Sequence, residues 1–159
     1  MGRAAVLLLV LLLGCASPAP VRKAPPPYGE AGRVVGGHLG TVVLAERCAA
    51  SFPDLAPEIG PALREWRWRN DPIAAAIEQR MWASVAERGA TAAQVDDAKA
   101  YFARELETIG AGLAEWFATW PADRQRAFCD RIPARLALGE DDLARRFPAE
   151  VRRWQGATR

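Results

Sequence analysis

Thr91–Trp120 reads TAAQVDDAKAYFARELETIGAGLAEWFATW. Apolar residues recur in steps of three and four, at Val95, Ala98, Phe102, Leu106, Ile109, Leu113, Trp116 and Trp120. That spacing keeps one face of an α-helix apolar over about 45 Å. The start is marked too. Thr91 and Gln94 are spaced as a capping box, in which each side chain accepts a hydrogen bond from the other residue's backbone amide. Gly110 and Gly112 interrupt the pattern, each at about 1 kcal/mol against alanine mid-helix. They mark a bend or the close approach of a neighbouring helix. Pro121 ends this helix or opens the next.

The segments on either side carry the same period. Residues 41–52 place Leu44, Cys48 and Phe52 on one face before Pro53 ends the run. After a turn over 54–60, a helix over 61–69 turns Leu63 and Trp66 inward and Trp68 outward, beside Arg64 and Glu65. Asn70-Asp71-Pro72 then reads as a break, with Asp71 as N-cap and proline at the first helical position. A helix over 72–88 carries Ile73, Ile77, Met81 and Val85, with Trp82 off the centre of that stripe, and stops at Gly89. Residues 121–138 hold Phe128, Cys129, Ile132 and Leu136 in one sector, kinked at Pro133. Asp141-Asp142 opens a last short helix bearing Leu143, Phe147 and Val151, its acids well placed at the positive end of the helix dipole. No segment alternates as a strand does. The pattern predicts an all-α domain over 41–154, a compact bundle of five or six helices with a frayed tail at 155–159.

The chain has 159 residues and a formal net charge of +2, with 25% charged residues. That is room for one domain, and no basic field that would argue for nucleic acid. The beginning is of another kind. Met1–Cys15, MGRAAVLLLVLLLGC, has one basic residue, an apolar run from Ala4 to Leu13, then Gly14 and Cys15. This is the layout of a secretory signal peptide. The apolar run is about half the length of a membrane-spanning helix. Leu12-Leu13-Gly14-Cys15 resembles the lipobox of bacterial lipoproteins. The resemblance implies removal of residues 1–14 and acylation of Cys15, by diacylglycerol on the thiol and commonly palmitate on the new amino group. It implies a protein lipid-anchored in the cell envelope. Ala16, not aspartate, follows the cysteine, which by the enteric sorting rule favours the outer membrane and its periplasmic face. Residues 15–40, rich first in proline and then in glycine, read as a flexible tether.

With Cys15 lipidated, two of the three cysteines remain, Cys48 and Cys129. An even pair in an oxidising compartment reads as a disulfide. Two distant thiols and the single His38, itself within the glycine-rich stretch, make neither a zinc site nor a catalytic triad. There is no phosphate-binding loop, HExxH motif or serine nucleophile elbow. No cofactor or metal is expected.

Six tryptophans are the one excess. Trp66, Trp116 and Trp120 fit core stripes. Trp68 and Trp82 fit less well, and with Arg67 and Arg69 they are the candidate binding patch, since tryptophan and arginine are enriched at binding hot spots. The expected function is a non-catalytic interaction or assembly module with an envelope protein as partner. Small helical lipoproteins that pilot secretins to the outer membrane share this architecture, though no motif. The alternative is a cell-wall or lipid-acting enzyme working through carboxylates such as Glu65, Glu78, Glu105 and Glu115.

Overall fold

The computed structural model describes residues 28–156. The expected signal peptide, Cys15 and the proline-rich stretch up to Pro27 lie outside the described residues, as do 157–159. All regular structure within them is helical: α1 (Tyr28–Ser51), α2 (Ala56–Glu87), α3 (Ala92–Ala118), α4 (Ala122–Cys129), α5 (Ile132–Ala137), α6 (Leu143–Arg146) and α7 (Pro148–Gly156). Among the described residues, no helix is long and apolar enough to cross a membrane.

Three long helices make the frame. α1 lies along α2, α3 packs against both, and the short helices α4 to α7 close the remaining side. The capping box of α3 forms as expected, with Thr91 Oγ1 accepting from the Gln94 amide at 3.3 Å and Gln94 Oε1 accepting from the Thr91 amide at 2.9 Å. Gly89, at φ 92°, takes the left-handed turn between α2 and α3.

Two apolar clusters fill the interior. One joins Ala45 and Cys48 of α1, Ile59, Leu63 and Trp66 of α2, Phe117, Cys129, Ile132 and Leu136. The other joins Ala31 and Val34 of α1, Ala74, Ile77 and Met81 of α2, Leu143 and Val151. The Cys48–Cys129 disulfide lies in the first, its Cα atoms 5.3 Å apart, and ties α1 to the end of α4.

Three expectations are corrected. Residues 28–40 are helical, so the folded body reaches back at least to Tyr28 rather than beginning at 41. Ala31, Val34, Val35, Val42 and Ala45 recur at helical spacing and are buried, which offsets the glycines among them. Gly37 also receives the Phe147 ring: a Cβ there would lie 2.5 Å from it. The break at Asn70-Asp71-Pro72 does not occur, since α2 runs on through Pro61 and Pro72. Pro72 removes the amide that would bond to the Trp68 carbonyl. Both residues are on the exposed face of α2, where water can serve that carbonyl. Finally, the inner face of α3 turns away from Ile109 and Trp116, which are exposed, to Gly110, Ala114 and Phe117, which are buried. Small residues let α1 come close: a Cβ on Gly110 would touch Val43 at 3.6 Å and Leu39 at 3.8 Å.

Candidate functional site

The four residues read as a binding patch separate. Trp68 and Trp82 are on one continuous helix, about 21 Å apart along its axis. Trp68 projects from the outer face of α2 and is 79% exposed. Trp82 is partly buried, edge-on to Phe102 with ring centroids 5.6 Å apart, and its Nε1 donates to Glu78 at 3.2 Å. Arg67 faces Glu46 of α1 at 3.6 Å. Arg69 is a structural tie. It donates to the Leu136 carbonyl at 2.7 Å and to both carboxylate oxygens of Asp142 at 3.3 Å. Of the four, only Trp68 presents an uncommitted apolar surface to solvent.

The acidic pair expected to serve a helix dipole has a different task. Asp142 makes no capping bond to α6. It accepts instead from Arg69 and from Asn70 Nδ2, the latter at 2.9 Å. Asp141 is 5% exposed and accepts from Arg135 Nη2 at 2.6 Å, with Arg146 Nη1 3.9 Å away. It lines a 270 Å³ groove together with Gly36, Gly40, Leu113 and Phe128. Asp141 is the one carboxylate on that groove and is bound to a cation. Glycoside hydrolysis takes two carboxylates across the scissile bond. The groove does not supply them.

His38, read as part of a tether, is half-buried in α1. Its Nε2 lies 2.6 Å from Asp71 Oδ1, and its ring lies on Trp66 at 5.2 Å. The buried Asn70 was also missed, because its neighbours Asp71 and Pro72 resemble a helix start.

The shifted titrations are peripheral. The Asp54 carboxyl is held below its ordinary range chiefly by the hydrogen bond from Arg126. Glu150 is lowered first by its backbone hydrogen bond and then by Arg33. Both belong to exposed ion pairs between elements and mark no reaction centre. Among the described residues, no group of three or more His, Cys, Asp or Glu side chains is placed to hold a metal.

The surface is more distinctive between α2 and α3. There a 330 Å³ cleft is lined by Met81, Trp82, Val85, Ala98, Tyr101 and Phe102, and its surface is almost wholly apolar. Further along α3, Ile109 and Trp116 stand about half exposed. Trp116 packs edge-on to Trp120, with centroids 4.7 Å apart. No family model, curated protein or solved structure matches this chain.

Proposed function

We propose that this chain is an envelope lipoprotein, anchored through Cys15, whose helical body is a non-catalytic interaction or assembly module facing the periplasm. The observation that carries the reading is Trp68. A large, rigid aromatic stands 79% exposed on a helix that the core fixes on its other side at Trp66. Tryptophan so displayed is the residue type most enriched at binding hot spots. Two further features support the compartment. The leader ends in Leu-Leu-Gly-Cys. The Cys48–Cys129 bridge is of the kind that persists in oxidising surroundings.

The test is in-cell crosslinking followed by recovery of the full chain, wild type against Trp68→Ala. The expected result is a discrete envelope protein with the wild type, reduced at least tenfold in the variant. A partner recovered equally with both would remove Trp68 from the interaction. No discrete partner in either would end the reading as a module. Anchoring is tested separately by Cys15→Ser, which should move the protein out of the membrane fraction. Unchanged membrane association would remove the lipid anchor.

A further inference from the structure

Along α3 a second apolar stripe runs outside the packed one. Tyr101 is 60% exposed, Ile109 53% and Trp116 51%. At 100° per residue the three fall within a sector of about 80°, with Glu105 and Gly112 between them. Tyr101 and Trp116 are about 22 Å apart along the axis, and Ile109 stands beside their midpoint. At one end of the stripe is a hole, the 330 Å³ cleft rimmed by Ala98 and Tyr101. At the other end is a knob, the Trp116 indole.

We propose that this face is an interface between two copies of the chain. The copies pair antiparallel along α3 about a two-fold axis beside Ile109, and Trp116 of each enters the α2–α3 cleft of the other. In such a contact the same patch meets itself, so one knob and one hole suffice for two matched insertions. The register places Tyr101 level with Trp116 of the second copy and Ile109 against its own symmetry mate. It places Glu105 level with the second copy's Gly112. A Cβ on Gly112 would meet nothing, so that carboxylate has room to run out to water.

Charge agrees with this register. Arg104 and Glu115 are exposed, and neither has an ion-pair partner among the described residues. Both lie on the same flank of the stripe. A two-fold axis perpendicular to the helix pair keeps them on one side. Arg104 of one copy then falls within about 3 Å, along the axis, of Glu115 of the other, and the pair forms twice. A parallel pairing would set these charges level with their own kind. A seam of this length buries on the order of 1,000 Å² in total, near the lower limit for a specific interface. Interfaces of that size belong to the weak and transient class, so the dimer is a reversible one.

The test is sedimentation equilibrium of the full chain in a density-matched detergent, up to about 200 μM, high enough to populate a weak, transient dimer. The wild type should reach the dimer mass. Arg104→Glu and Glu115→Arg should each weaken the dimer about tenfold, and the double variant should recover most of that loss. Trp116→Ala should weaken it at least tenfold. Should Trp116→Ala disturb folding, the charge-exchange set still decides, since both side chains are exposed. A monomer at every concentration would overturn the proposal and leave the cleft to a different protein's helix. So would a dimer indifferent to all these changes, as two chains sharing a micelle would be, or single losses that the double exchange fails to recover. None of these outcomes bears on Trp68 or Cys15, so the lipoprotein reading stands or falls separately.

Discussion

Asn70 serves three polar groups from one buried side chain. Its Nδ2 donates to the Trp66 carbonyl and to Asp142 Oδ1, both at 2.9 Å, and its Oδ1 accepts from the Leu143 amide at 2.8 Å. The last bond satisfies an amide at the start of α6, where the Asp142 side chain does not cap. Replacing Asn70 by Leu, of similar size, strands the Leu143 amide and costs Asp142 a donor. The expected loss is about 3 kcal/mol by urea denaturation of the oxidised protein, the range for orphaned buried polar groups. Trp68→Ala in the same assay should change stability by less than about 0.5 kcal/mol, as exposed substitutions do.

At the scale of elements, α1 depends on what its glycines admit. Gly37 faces the Phe147 ring, which ends α6, and a methyl group there would be driven into it. Gly37→Ala should therefore destabilise by about 1–3 kcal/mol despite alanine's better helix propensity. Gly36, beside it, has open space around its Cβ position, and Gly36→Ala should be neutral or stabilising by up to about 1 kcal/mol. Paired thermal melts check both. The same element shows where sequence reasoning stopped. Glycine reads locally as flexible, and nothing local announces a ring from residue 147. The available signal was the recurrence of Ala31, Val34, Val42 and Ala45. The start of α3 was legible because a capping box is complete within four residues. Its far end was not, because the inner face is decided by how near α1 can come to Gly110 and Ala114. That the four patch residues lie apart was not legible for a related reason. A helix carries an interior proline more readily where solvent can serve the freed carbonyl, and solvent exposure is not written in a local motif.

For the whole molecule, the pairing of Cys48 with Cys129 was legible from the even cysteine pair and from the apolar faces both occupy. What the sequence did not show is that the interior divides into two clusters and that the bridge belongs to one of them. Closing a loop with a sequence separation of 81 constrains the unfolded chain. On the chain-entropy model this contributes about 4–5 kcal/mol. Cys48→Ala together with Cys129→Ala should lower stability by that order in chemical denaturation.

The position of the bridge also sets how the body would answer a pull between its two ends. The load enters at the start of α1 and leaves through α7. Ala31 and Val34 at one end and Val151 at the other all belong to the cluster without the bridge, so that cluster bears the tension first and is first to give way. The yield then stops at Cys48 and Cys129. Everything between them, about 280 Å of extended chain, is short-circuited by a covalent link. The fold is built like a strap with a rivet: its ends can peel, and its middle cannot be drawn out while the rivet holds.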